Sequence, residues 1–262
     1  MELTLSKVGN IRILQHREIE GRIKTCTIKK DVDRWYAIFT VDIEKKIEKV
    51  PIKTKTGVDV GLESLLILSS GEKIEPQKFY RKSEESLAWE QRQLSRKKLG
   101  SKNRGKQKVK VAKVHRKVRN QRKDSNHKTS RGLVKTFDYI VFEDLQIQNM
   151  VQNHHLAKSI LDAGWGQIIR FTAYKAEYAG KTIELVDPYY TSQTCLCGHH
   201  VPKKLSVRIH ICPKCGLILN RDHVSAILIE RKGKLNVPTD CGELTPMEST
   251  LKRLIEVGSP SL

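Results

Sequence analysis

Three acidic residues stand inside or at the edge of apolar runs: Asp59 in GVDVGLESLLILS, Glu143 in FDYIVFEDLQ and Asp222 in NRDHVSAILI. A carboxylate seated among valines and isoleucines costs several kcal/mol unless a cation or hydrogen bonds compensate it. One such residue is ordinary. Three of them, each at the end of an expected core element and separated by 84 and 79 positions, imply a fold that gathers distant segments around divalent metal. Gly57 and Gly61 flank Asp59 and would let a phosphate or an ion approach the backbone closely. Glu143 has Asp144 beside it, and Glu143 is the better candidate because it directly follows the apolar run YIVF. The competing account of Asp222 is simple: an aspartate at that position could N-cap the last helix.

Charge narrows the partner. The chain carries 49 Lys+Arg against 29 Asp+Glu, a formal +20, which calls for a polyanion, most commonly nucleic acid. The excess is local: residues 81–135 hold 20 Lys+Arg against 4 Asp+Glu. Without a polyanion that density works against a compact helical hairpin. Arg96, Lys97, Lys98, Lys102, Arg104, Lys106, Arg116, Arg119, Arg122 and Lys123 are the candidate phosphate contacts. Trp89 is the only aromatic residue in the stretch, so backbone and shape recognition should outweigh base stacking.

Apolar stretches such as LLIL at 65–68 are too short to span a bilayer, and MELTLSKVGN lacks the apolar core of a secretion signal. The expectation is an intracellular protein with no membrane partner. Six cysteines in such a setting point away from a disulfide framework, and four of them, Cys195, Cys197, Cys212 and Cys215, cluster in CLC and CPKCG. This is close to the paired-knuckle pattern that holds tetrahedral Zn²⁺ on four thiolates. The first pair has one intervening residue where two turn more easily, and His199, His200 and His210 are nearby substitutes. Cys26 is expected to be a small buried hydrophobe and Cys241 a free thiol in the tail.

A chain of 262 residues can bury one good core beside a small second module. Residues 1–52 alternate apolar and polar in short pieces with turn signals, as a small antiparallel β module would. Residues 53–188 open with a strand and hairpin around the Ser-Ser-Gly turn at 69–71. The two basic helices of 81–135 follow, with a break near LGSKNRG. Next come the strand DYIVFEDL, a loop QIQNMVQNHH, a helix around WGQIIRFTAYKAEYAG and the strand KTIELVDP. The cysteine module fills 189–219, a last helix 220–234, and a flexible tail 235–262. This mixed α/β order is that of ribonuclease-H-like nucleases.

Several blocks in order, GVDVGLESL, NQRKDSNHK, VFEDLQIQNMVQN, HHLAKSILDAGWGQ, VDPYYTSQTC, CPKCG and NRDHVSA, resemble the TnpB (OrfB) family, RNA-guided endonucleases of insertion sequences related to type V CRISPR effectors. The resemblance spans about positions 10–232. It implies a RuvC nuclease domain of ribonuclease-H-like fold, a zinc ribbon inserted before the last catalytic segment, and a preceding wedge-like β barrel, here partial. By position, Asp59, Glu143 and Asp222 match the RuvC triad, and the four clustered cysteines match the zinc ligands. The implied activity is Mg²⁺- or Mn²⁺-dependent cleavage of target DNA chosen by a guide RNA, in the prokaryotic cytoplasm at the nucleoid. Family members are usually longer at the start, so the chain is expected to be shortened there. Where the family typically has Asn-Ala-Ala, this chain has Val224-Ser225-Ala226. The competing expectations are a catalytically impaired RNA- and DNA-binding remnant or repressor, and a generic zinc-ribbon binder.

Overall fold

The computed structural model describes residues 2–44, 46–189, 191–204 and 207–234; the expected tail with Cys241 lies outside them. The chain divides into two compact units: residues 1–46 with 85–117, and residues 47–84 with 118–262.

The larger unit is built on a five-stranded sheet of order β7-β6-β5-β8-β9. Its strands are β5 (Lys55–Val60), β6 (Leu66–Leu68), β7 (Lys73–Ile74), β8 (Tyr139–Glu143) and β9 (Thr182–Val186). β5, β8 and β9 run parallel, while β5, β6 and β7 form an antiparallel meander. The run VDVGLESLLIL is therefore two strands, because Gly61 donates its N–H to the Leu65 carbonyl and turns the chain before β6 begins. All five residues of β8 are buried. A central parallel strand covered on both faces reads as a continuous apolar run, which explains why YIVF shows no alternation.

The two faces of the sheet divide by strand period. Ile140 and Phe142 of β8, with Val58 of β5, join a core of Ile160, Trp165, Ile168, Ile169 and Ala173. Those residues come from α4 (His154–Ala163) and α5 (Trp165–Tyr178). Tyr139 and Val141 of β8 pack with Ile229 of α6 (Arg221–Lys232) on the opposite face. Glu143 shares the parity of Tyr139 and Val141, and Asp59 shares that of Gly57, over which the backbone of α6 lies. The expected loop QIQNMVQNHH instead contains α3 (Ile147–Val151) and the start of α4. Asn153 caps α4 by accepting from the His155 N–H, and Gly164, in the left-handed region at φ 67°, separates α4 from α5.

The smaller unit holds two hairpins, β1 (Glu2–Leu5) with β2 (Gly9–Arg12) and β3 (Arg22–Asp31) with β4 (Arg34–Asp42). They are separate two-stranded ladders among the described residues, where a partial barrel is expected from the sequence. β1 and β2 have four residues each, and residues 13–21 part them from β3. Cys26 on β3 is exposed, contrary to its expected burial, because β3 has a single neighbouring strand and nine of its ten residues face solvent.

The basic stretch forms the expected two helices, α1 (Phe79–Ser95) and α2 (Lys102–Thr136). Within the smaller unit, Arg104 donates to the Leu94 and Lys97 carbonyls, at the end of α1 and just beyond it, and so ties the start of α2 to that end. Lys113 and Arg116 both pair with Asp33, at 2.7 Å each, and their hydrogen bonds hold its carboxyl down at about 2.

Candidate active site

The parallel register aligns Val58 with Phe142, so the next residues along the two strands, Asp59 and Glu143, sit side by side at adjacent carboxyl ends. That end of a parallel sheet is where open α/β folds place ligands. Both carboxylates belong to the face covered by α6, and Asp222 lies in the first turn of that helix. Burial, followed by the charges of Glu143 and Asp222, drives the Asp59 carboxyl well above the usual range, with Arg221 pulling the other way. Glu143 is also raised, first by burial, against the opposing pull of the Thr191 hydroxyl and Lys232. Three sequence-distant carboxyls thus share one electrostatic neighbourhood.

Asn220 caps α6: its side chain accepts from the N–H groups of Asp222 and His223. The Asp222 carboxylate is released from that role. Instead Arg221 reaches its Oδ1 through Nε and Nη2 at 2.9 and 2.8 Å, and Arg208 Nη1 lies 3.5 Å from its Oδ2. Arg208 also pairs with Glu63 at 3.0 Å. Thr191 and Arg221 lie inside the blocks VDPYYTSQTC and NRDHVSA, where nothing in the sequence singles them out, and Arg208 has no marking at all. Asp144 is exposed and Glu143 is 9% exposed, so the two neighbours have different environments. The glycines beside Asp59 serve packing: α6 occupies the open side of Gly57, and a Cβ on Gly61 would come 2.9 Å from the Ser64 carbonyl.

The cysteine module is more tightly gathered. The ligand atoms of Cys195, Cys197, Cys212 and Cys215 all lie within 4.8 Å of one another; no other group of three or more His, Cys, Asp or Glu among the described residues does so. Sγ of Cys195 and Cys215 are 3.6 Å apart, and those of Cys197 and Cys212 3.7 Å. A tetrahedron with Zn–S bonds of about 2.3 Å has edges of about 3.8 Å, so this four-sulfur set fits zinc. The short first knuckle closes because Gly198, at φ 81°, folds its N–H back onto the Cys195 carbonyl. Gly216, at φ 73°, closes the second knuckle with a turn one residue wider, its N–H donating to the Cys212 carbonyl. Burial opposes charge on Cys212, yet the N–H groups of Cys215 and Lys214 hold its thiol down at about 6. His199 and His200 stay outside the cluster, as does His210, which is buried with Nδ1 against the Lys203 amine.

Of the basic residues, Arg96, Lys97, Lys98, Lys102, Lys106, Arg119 and Lys123 are exposed on or between α1 and α2. Arg104, Arg116 and Arg122 are committed to protein partners, Arg122 to Asp162 at 2.9 Å.

The fold and these clusters define a mixed α/β protein with Asp59, Glu143 and Asp222 in one electrostatic neighbourhood at its central sheet and a four-cysteine module beside the last helix. A family profile described as "Probable transposase" (OrfB_IS605) matches residues 38–154, and a second, "Cas12f1-like, TNB domain", matches residues 165–229. The chain belongs to the TnpB (OrfB) family. It is 33% identical over 266 residues to "Putative RNA-guided DNA endonuclease InsQ" of Escherichia coli (strain K12), covering 95% of this chain and 66% of that protein. It is 37% identical over 229 residues to "Putative RNA-guided DNA endonuclease" of Streptomyces pristinaespiralis, covering 84% of this chain and 56% of that protein. The chain therefore spans about two thirds or less of these curated relatives. Its fold is similar to that in "Cryo-EM structure of the Cas12f1-sgRNA-target DNA complex", with TM-score 0.51 at 18% identity over 78% of this chain and 55% of the other. For "Cryo-EM structure of CRISPR-Cas12f Ternary Complex" the TM-score is 0.54 at 19% identity, over 78% and 44%. No helix among the described residues is long and apolar enough to cross a membrane.

Proposed function

We propose that this protein is an RNA-guided, divalent-metal-dependent DNA endonuclease of a transposable element, with a RuvC-type active site formed by Asp59, Glu143 and Asp222. The observation that carries the reading is the adjacency of Asp59 and Glu143, each one residue beyond the Val58–Phe142 pair of two parallel strands, with Asp222 in the first turn of the helix on that face. Asp59, whose proton affinity is raised by burial and by the charges of Glu143 and Asp222, forms with those two carboxyls a set of oxygen donors that suits hard ions such as Mg²⁺ or Mn²⁺. Bound there, such ions supply an activated water and neutralise charge on the leaving oxygen. The protein's own share is to hold the three carboxylates in a common site and to meet the charge of Asp222 with Arg208 and Arg221. Zinc on the four cysteines would be structural, since four thiolates close its shell. The exposed cations of α1 and α2 would contact the phosphates of guide RNA and target DNA.

The test is cleavage of a target plasmid in Mg²⁺ by protein purified with co-expressed guide RNA, compared with Asp59→Ala. Wild type should cut and the variant should only bind. Identical products from both would overturn the enzyme reading. Retained binding with no cutting by either would favour a non-cleaving repressor or remnant.

A further inference from the structure

Glu143 differs from the other two carboxylates in a way that its place at the end of β8 does not resolve. Its side chain has one more rotatable bond than an aspartate, and it projects from the last residue of the strand. The Thr191 hydroxyl, 48 residues downstream, donates to Glu143 Oε1. Thr191 is itself 5% exposed, in the segment between β9 and the cysteine module. Its Oγ1 also lies 3.0 Å from the Pro188 carbonyl, a second acceptor for the single hydroxyl proton, over which the charged carboxylate of Glu143 is the stronger partner. Its own carbonyl accepts from Ser225 Oγ at 3.5 Å, and Ser225 is three residues beyond Asp222 on α6. A chain of polar contacts therefore runs from the helix that carries Asp222, through Thr191, to the carboxylate of Glu143.

We propose that Thr191 is a positioning residue for the carboxylate centre, engaging Oε1 of Glu143 so that Oε2 is the atom offered to a divalent ion. This rests on the metal reading of Asp59, Glu143 and Asp222. The physical reason is twofold. A hydroxyl donor removes rotamer freedom that an ion would otherwise have to restrict on binding. It also satisfies one oxygen of a buried carboxylate, which without a partner would turn toward whichever donor was nearest. Ser225 adds the anchor that ties the Thr191 segment to α6.

The experiment is Mn²⁺ binding to the full-length, zinc-loaded protein, followed by loss of the free-ion electron paramagnetic resonance signal. It compares wild type with Thr191→Val, Thr191→Ser and Glu143→Gln. Thr191→Val keeps the branched shape and deletes the donor; it should weaken Mn²⁺ binding by about tenfold or more, the usual effect of removing a group that orients a ligand. Thr191→Ser restores the hydroxyl and should bind close to wild type. Wild-type affinity in Thr191→Val alongside weakened binding in Glu143→Gln would overturn the role of Thr191 and leave the metal site standing. A Thr191→Ser variant as weak as Thr191→Val would show that the methyl group and its packing matter, which also overturns the proposal. Unchanged binding in Glu143→Gln would remove the carboxylate site itself, and the positioning role with it.

Discussion

A Cβ built on Gly57 would lie 2.2 Å from the carbonyl oxygen of Ala226. Strand β5 and helix α6 touch backbone to backbone at that point, two residues before Asp59 and four beyond Asp222. Gly57→Ala should therefore push the two elements apart, with no flexible side chain able to yield. The expected cost is about 1–3 kcal/mol or more, read as a lower melting temperature by roughly 2–4 °C per kcal/mol. A variant that melts with wild type would mean α6 does not sit on β5 in this way.

Asn220 and Asp222 divide two tasks at the start of α6. Asn220→Ala removes an acceptor for two helix N–H groups and should cost about 1 kcal/mol in a thermal or denaturant melt. Asp222→Asn keeps the cap and should leave stability near wild type while abolishing Mg²⁺-dependent cleavage. The opposite pattern, a stable Asn220→Ala and an unstable Asp222→Asn, would return the capping role to Asp222.

Asp59 gives a pH dependence of definite sign. Its native carboxyl sits well above the usual range, for burial and two neighbouring carboxylates favour the protonated form. The native state then holds a proton that the unfolded chain has released. Without divalent ions the stabilising contribution of this group is complete below the unfolded aspartate value and is lost as pH rises through the native one. In EDTA at pH 8, Asp59→Asn should melt higher than wild type. Added Mg²⁺ should raise the wild-type melting temperature, more so with increasing pH as protons stop competing, and raise that of the variant much less. Equal gains in both proteins would contradict ion binding at Asp59.

Zinc should be present at about one ion per chain in metal analysis of the purified protein, and Cys212→Ser should lose it. Removing zinc by chelation should also lower the melting temperature, since the knuckles are turns with little other burial around them. Full zinc content in Cys212→Ser would show that the four sulfurs do not act together.

The basic residues should separate into two groups. Replacing the exposed Lys97, Lys98 and Lys102 with glutamine should leave the melting temperature unchanged and flatten the dependence of log K for nucleic acid on log salt. The slope should fall by roughly 0.7–0.9 for each phosphate that is no longer neutralised. Arg116→Gln should instead destabilise the protein, because it strips a partner from Asp33. A uniform effect on the salt slope across all four positions would mean that Arg116 reaches phosphate as well.

The amino-acid sequence alone determined the element order of the larger unit, the two basic helices and the gathering of four thiols, because these follow from local periodicity, charge density and short spacing. GVDV and YIVF are legible as core strands since every residue in them is apolar, glycine or the acid in question. It also marked the three acids that come to share one neighbourhood. It left open which neighbour of an acidic pair turns inward, and strand parity settled that by burying Glu143 and exposing Asp144. The capping role that the sequence allowed to Asp222 falls to Asn220 once the geometry of the first turn is fixed. Thr191 and Arg208 became visible only with the chain folded, for their partners Glu143, Asp222 and Glu63 lie across loops where no periodicity operates, and Arg221 only once the first turn of α6 set it on the carboxylate of its neighbour Asp222. The β-rich start of the chain shows the same limit: alternation predicts strands, but which edges pair is decided by contacts distant in sequence, and the ladders found there are two separate hairpins.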